Sequence, residues 1–187
     1  LGGPSVKPYM PDGVWEAVAM IGSNTRDYRR DSGDSLYRRS MYTFLKRSAP
    51  PASMEIFNAP ARETCTVRRE RTNTPLQALV TLNDPQFVEA ARALATRALQ
   101  SDAKEDEGKI DFIAKHLLLR SLTDAEREVV VASLKDLRAY YQNAEEDARQ
   151  LIAFGELKAP ESLDPKELAA WTMLTNELMN LDEALNK

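Results

Sequence analysis

Two closely spaced helix starts, each followed by proline, constrain the fold of this chain more than any other sequence feature. Thr74-Pro75-Leu76-Gln77 has the pattern of a capping box, in which the Thr74 hydroxyl accepts from the Gln77 N–H and the Gln77 side chain reaches back. Pro75 occupies the first helical position, where an N–H is not needed. The pattern predicts a helix that stops near Asn83. Asp84-Pro85 then starts a second helix at once, which predicts a sharp helical corner.

The same kind of start recurs later, at Thr123–Glu126 and Asp164–Glu167. With only seven glycines and 43% hydrophobic residues, the 187-residue chain favours helix over sheet and is long enough to bury a core. We therefore predict an all-α fold: an irregular multi-helix array with proline-bounded corners and at most one short extended segment. We expect a single helical domain over residues 1–187, with a possible hinge in the acidic segment 101–108. Further helices are predicted over 12–22, with Trp15 as a core anchor, and over 34–47.

Several function classes find no support in the sequence. Cys65 is the only cysteine and His116 the only histidine, so the chain has no haem-attachment motif and no multi-histidine metal site. We predict no cofactor and no metal in this chain, and we expect His116 to be partly buried and hydrogen-bonded. No apolar run is long enough for a membrane span. No nucleophile–base pair is recognisable, so a stand-alone catalyst is the least favoured of the functions considered.

Charge is distributed unevenly along the chain. Residues 1–100 carry a net charge of +4 and the remaining residues −8, which together give the overall −4. Such asymmetry indicates oriented contact with a partner, or with a preceding part of a longer parent protein. It is too mild for a nucleic-acid-binding protein, so we predict no nucleic acid partner.

An arginine cluster precedes the first of the two helix starts. Arg68, Arg69 and Arg71 lie just upstream of Asn73 and Thr74. In a strand Arg69 and Arg71 would share a face, whereas in a helix Arg68 and Arg71 would be neighbours. In either case two guanidiniums converge near a helix N-terminus, where unpaired N–H groups add positive potential.

This cluster has two interpretations. Guanidinium groups suit carboxylate, sulfate or phosphate oxygens, so the first is an anion-binding site made by Arg68, Arg69, Arg71, Asn73 and Thr74. The second is an internal network of salt bridges, with Glu63, Glu70 and Asp84 as candidate acceptors. The sequence favours the second without excluding the first.

Three long stretches carry a resemblance to a known family. They read GGPSVKPYMPDGVWEAVA, DSLYRRSMYTFLKRSAPPASMEIFNAPARETCTVRRERTNTPLQALVTLNDPQFVEAARALA and AAWTMLTNELMNLDEALNK. The sequences of these stretches resemble a domain family of unknown function from planctomycete and verrucomicrobial proteins. The match is poorest between Gln100 and Lys166.

The resemblance implies the C-terminal part of a large exported or periplasmic protein. Such proteins often have a c-type cytochrome module and another uncharacterised domain ahead, so any haem would lie elsewhere in the parent protein. They are often linked with degradation of sulfated polysaccharides. Two functions follow as expectations. One is a structural or interaction module whose partners are upstream domains. The other is the part of a polysaccharide-degrading or redox enzyme that recognises an anion or sulfated glycan, with anionic polysaccharide as its partner.

Overall fold

The computed structural model describes residues 3–186, and the predicted all-α class is confirmed. Within these residues the chain forms nine α-helices and two short 3-10 helices, whereas its extended structure is limited to one isolated parallel bridge between Val6 and Thr43. The α-helices are α1 Val14–Ala17, α2 Ala52–Ile56, α3 Pro75–Asn83, α4 Pro85–Leu99, α5 Asp106–Leu117, α6 Asp124–Asn143, α7 Glu145–Ile152, α8 Pro165–Met179 and α9 Asp182–Leu185. The 3-10 helices are Gly33–Tyr37 and Ser40–Tyr42.

The chain divides into two compact units, Leu1–Thr72 and Asn73–Lys187. The boundary falls immediately before the α3 capping box, whereas the segment 101–108, the predicted hinge, lies within the second unit. That segment is a loop only up to Glu105, because α5 begins at Asp106. The single domain over residues 1–187 stays a prediction.

Trp15 is the centre of the first unit, as predicted for a core anchor. Its side chain is fully buried, and its ring meets the rings of Tyr28 and Phe44 edge-on at centroid distances of 4.6 and 5.6 Å. The indole Nε1 donates to the carbonyl oxygen of Ala49 over 2.7 Å. Burial raises the pKa of the Tyr28 hydroxyl to about 12, and this hydroxyl donates to the carbonyl oxygen of Pro8 over 2.5 Å. One aromatic cluster thus fixes a unit that has little regular structure.

Two helix predictions in this unit are wrong. The predicted helix over 12–22 is only the four residues of α1, and Met20 and Ile21 beyond it are 80% and 91% exposed. The predicted helix over 34–47 is replaced by the two 3-10 helices. Long-range bonds explain the second error: Val6 N–H donates to Tyr42 O over 2.9 Å, and Phe44 N–H donates to Val6 O over 2.7 Å. These bonds require extended backbone at Thr43.

α8 is the central helix of the second unit and packs against α4, α6 and α7. Buried residues occupy its whole circumference, which is expected of a helix surrounded by others. They are Leu168, Ala169, Ala170, Trp171, Thr172, Leu174, Thr175, Asn176 and Leu178.

Local capping chemistry determines where four helices of this unit begin, as predicted. Thr74 and Thr123 form complete capping boxes at the starts of α3 and α6. Asp84 and Asp164 cap α4 and α8, with proline at the first helical position of each. The predicted starts of α3, α4, α6 and α8 are therefore confirmed, and with them the proline-bounded corners. The spacing of Ile110, Ile113 and Leu117 predicts a helix that begins at Lys109. In the structure this helix, α5, begins three residues earlier, at Asp106.

Two charged residues of α4 hold the loop after α7. Arg92, 1% exposed, donates to the carbonyl oxygens of Ile152, Phe154 and Leu157. Glu89, 7% exposed, accepts from the N–H groups of Glu156 and Leu157 over 2.8 and 3.0 Å. These bonds to backbone groups compensate for the cost of removing both charges from water.

Ion pairs on the outside of this unit join its helices. Arg120 contacts Glu126 of α6 and Glu183 of α9, at 2.8 and 2.7 Å. The hydrogen bonds from Arg120 are the largest of the causes that lower the pKa of the Glu126 carboxyl to about 2. Arg138 of α6 similarly pairs with Asp106 and Glu167, and its hydrogen bond lowers the pKa of Asp106.

Candidate functional site

The first unit contains a cavity of about 320 Å³ lined by three arginines, Arg39, Arg62 and Arg69. This volume is at the lower end of the range of small-ligand sites. The other lining residues are one serine and a set of aliphatic or thioether side chains: Ser40, Met41, Leu45, Met54, Ala59 and Pro60. No acidic side chain is among the lining residues. The cavity therefore combines positive charge with an apolar wall.

The 3-10 helix Ser40–Tyr42 places Arg39 and Ser40 at this cavity. Arg39 is its N-cap residue, and its carbonyl oxygen accepts from Tyr42 N–H over 2.9 Å. The Thr43 hydroxyl donates to Ser40 O over 2.6 Å, and the bridge from Thr43 to Val6 holds the end of the turn. Because the bridge to Val6 anchors this short 3-10 helix, a contact between distant segments helps to position Arg39.

Arg62 reaches the cavity from a backbone conformation that is uncommon for its residue type. Its φ angle is +63°, in the left-handed region, which side chains other than glycine seldom adopt. Its Nη2 donates to the carbonyl oxygen of Ser40 over 3.0 Å. The bond joins two segments 22 residues apart in sequence. A conformation of this kind persists only when its surroundings determine it, and such residues cluster at functional sites.

Asn58 connects the end of α2 to the arginine segment. Its φ of 54° fits the left-handed position that follows a helix, and a Schellman motif forms there. Asn58 N–H donates to Glu55 O over 2.9 Å, and Ala59 N–H donates to Met54 O over 2.8 Å. The Asn58 amide is left to donate outward, to the Thr72 hydroxyl over 2.7 Å and to the carbonyl oxygen of Glu70 over 3.3 Å.

A second, open cavity of about 380 Å³ is lined by four consecutive residues, Arg68, Arg69, Glu70 and Arg71. Arg69 lines both cavities. The whole segment 61–71 is exposed and has neither helix nor strand, so neither regular arrangement considered for the cluster is observed. Within the described residues the three arginines form no ion pair with Glu63 or Glu70, their closest carboxylates in sequence.

The remaining predicted site residues, Asn73 and Thr74, begin the second unit. Thr74 N–H donates to Gln77 Oε1 over 2.9 Å, and Thr74 Oγ1 accepts from Gln77 N–H over 3.3 Å. The polar groups of Thr74 are thus used in its own helix cap. Their part in an anion site, like that of the three arginines, stays a prediction.

Sequence reasoning missed Arg39 and Arg62. No local pattern marks them, because bonds between distant segments bring them to one cavity. The left-handed residues Asn58 and Arg62, on either side of the Ala59–Ala61 stretch, are likewise visible only in three dimensions.

The single histidine and cysteine lie outside both cavity linings. His116 is exposed rather than partly buried as predicted, although its Nδ1 lies 2.7 Å from the carbonyl oxygen of Phe112. Cys65 is exposed. In the part of the chain that the structure describes, no group of three or more His, Cys, Asp or Glu residues could hold a metal ion. The absence of a cofactor stays a prediction.

Among the described helices, none has the length and apolarity that a bilayer crossing needs. This finding agrees with the sequence, in which no apolar run reaches that length.

Comparison with protein families gives one match. The model of the family PSD1, "Protein of unknown function (DUF1553)", matches residues 1–134, which include the whole first unit and helices α3 to α5. The chain belongs to this family. No curated protein and no solved structure matches it. The PSD1 match supports the resemblance to a domain of unknown function, while the association with cytochrome modules, export and polysaccharide degradation stays a prediction.

Proposed function

We propose that this PSD1 domain binds anions, and that the cavity lined by Arg39, Arg62 and Arg69 is the binding site. One observation carries the proposal: three arginines line one concave site that has no acidic residue in its lining. Guanidinium groups present several N–H donors in a planar fork that matches carboxylate and sulfate oxygens. The net charge of the first unit adds to this preference, because residues 1–72 carry 12 Lys and Arg against 8 Asp and Glu.

The lining favours recognition over catalysis. Beside the arginines it supplies one hydroxyl, from Ser40, and the apolar surfaces of Met41, Leu45 and Met54. Methionine side chains adapt their shape to apolar ligand surfaces. Such a site holds a ligand with one anionic group and one apolar face, which describes a sulfated or carboxylated sugar ring.

An NMR titration tests the proposal, with the arginine Nε–Hε signals observed as galactose 6-sulfate is added at constant ionic strength. We expect a dissociation constant on the order of millimolar, as for a small ligand held by a few polar contacts. Neutral galactose should shift no arginine signal. The ionic strength is fixed because salt screens exposed charges.

Two double variants identify the site. Arg39→Gln with Arg62→Gln removes two of the three cavity arginines, and at least a tenfold loss of affinity is expected. Arg26→Gln with Arg29→Gln removes the same charge from exposed arginines outside both linings, and affinity should stay within about twofold. Equal losses in the two variants would show a response to net charge only, and the cavity would not be the site.

An exposed apolar strip in the first unit favours a second function, docking to another domain. Val14, Val18, Met20 and Ile21 are 45%, 56%, 80% and 91% exposed. Such a patch is typical of an interaction surface. Hydrogen exchange of residues 14–21 should then be slower in a longer polypeptide that contains the upstream domains than in the 187-residue chain. Equal exchange rates would rule out this docking function.

A further inference from the structure

We infer that the ligand is an extended anionic glycan that carries two or more anionic groups, one in each of the two cavities. This inference rests on the proposed anion-binding function. Its basis is Arg69, which lines both the cavity of Arg39 and Arg62 and the open cavity of Arg68 and Arg71. A ligand that contacts Arg69 from the first cavity can continue into the second without leaving the arginine surface.

The two cavities differ in a way that suits a chain ligand. The first has an apolar wall and takes a whole ring, whereas the second is open and lined only by Arg68, Arg69, Glu70 and Arg71. An open lining of charged side chains contacts a charged substituent and leaves the rest of the ligand in solvent. The single carboxylate, Glu70, limits how much negative charge this end accepts. The arrangement therefore favours spaced anionic groups over a dense array.

Asn58 keeps this extended surface in place. Its amide holds Glu70 O and the Thr72 hydroxyl, at the end of the arginine segment. The same residue closes α2, which carries Met54 of the first cavity. Asn58 thus links α2, which carries Met54 of the first cavity, to the segment that lines the second cavity. This link restrains the distance between the two cavities.

Other polyanions fit less well. Single-stranded nucleic acids bind through aromatic side chains that stack on their bases, and neither lining contains an aromatic residue. The saturated surfaces of Met41, Leu45 and Pro60 instead suit the C–H faces of a sugar ring. Acidic peptides lack such a ring, although they share the anionic groups.

Calorimetry at several salt concentrations tests the inference. The main probe is a chondroitin 4-sulfate hexasaccharide, whose anionic groups are spaced along the chain. The other probes are galactose 6-sulfate, and polyglutamate and single-stranded DNA matched in charge to the hexasaccharide. Replacing two arginines of the second cavity, with Arg68→Gln and Arg71→Gln, should weaken hexasaccharide binding about tenfold. The slope of log Kd against log salt should fall by about two, one for each removed charge. Binding of galactose 6-sulfate should not change.

Each outcome separates the inference from the proposed function. If the Arg68→Gln, Arg71→Gln variant binds the hexasaccharide as tightly as the unaltered chain does, the inference that one ligand occupies both cavities is wrong. The proposed anion site in the first cavity then still stands. If the unaltered chain fails to bind galactose 6-sulfate, the proposed function itself is wrong. Tighter binding of polyglutamate or DNA than of the hexasaccharide would overturn the assignment to a glycan. The Arg26→Gln, Arg29→Gln variant serves again as the charge-matched control.

Discussion

Replacing Gly155 by alanine tests the buried charges of α4 directly. Gly155 lies in the loop that Glu89 and Arg92 hold, and its φ is +85°. A Cβ atom added there would lie 1.8 Å from Glu89 Oε2 and 2.5 Å from the carboxyl carbon. These distances are far below van der Waals contact, so the Glu89 carboxylate must move.

The expected loss of stability follows from three contributions. A left-handed conformation costs a residue with a Cβ about 1–2 kcal/mol. Displacing Glu89 breaks its bonds to the N–H groups of Glu156 and Leu157, and hydrogen bonds to charged groups are worth about 1.5–3 kcal/mol each. Lower entropy of the unfolded chain returns about 0.4–1 kcal/mol. Gly155→Ala should therefore reduce the free energy of unfolding by about 3–8 kcal/mol, a large part of the stability of an ordinary domain.

Urea unfolding followed by far-ultraviolet circular dichroism measures this effect, because the second unit contains most of the helix. Gly22→Ala is the matched control: Gly22 also has a φ of +85°, but nothing lies within 4 Å of an added Cβ. It should cost about 1 kcal/mol or less in the unfolding of its own unit. If Gly155→Ala costs no more than Gly22→Ala, or costs the same when Glu89 is already alanine, the collision with Glu89 does not determine the result.

Three further predictions concern local structure. Thr74→Ala should cost about 1 kcal/mol of unfolding free energy through loss of the α3 cap, and an unchanged urea midpoint would contradict that role. Asn58→Gly keeps the left-handed backbone but removes the amide bond to Thr72, so trypsin should cleave the arginine segment several-fold faster; an unchanged rate would mean that the amide does not hold the segment. The pKa of Glu126 is lowered from 4.5 to about 2, so its stabilising contribution is present above pH 4.5 and is lost as the pH falls towards 2. Arg120→Gln should raise that pKa in a carboxyl NMR titration and flatten the acid side of the stability profile, whereas an unshifted titration would exclude Arg120 as its cause.

Local chemistry made the second unit predictable. The starts of α3 and α6 depend on a threonine and a residue three positions later, and those of α4 and α8 on Asp-Pro pairs. Each of these signals is made by residues within three positions of one another in the sequence. The buried Arg92 was missed, although Val88, Arg92 and Ala95 share one face of α4 and so place an arginine among apolar residues.

The first unit could not be predicted in the same way, because its structure depends on contacts between distant segments. Leu36, Tyr37 and Phe44 show helical spacing, yet the bridge between Val6 and Thr43 requires extended backbone in that region. The candidate site shows the same limit. Arg69 belonged to a visible cluster, whereas its two partners in the cavity come from elsewhere in the sequence.

Each unit contains one of the two tryptophans of the chain, Trp15 and Trp171, and both are fully buried. Intrinsic fluorescence can therefore report on either half separately once the other indole is replaced by phenylalanine. The emission of the Trp15→Phe variant comes from Trp171 and follows the second unit. The emission of the Trp171→Phe variant comes from Trp15 and follows the first unit. Coincident melting of the two signals would identify a single cooperative body, and separate melting would identify two autonomous ones.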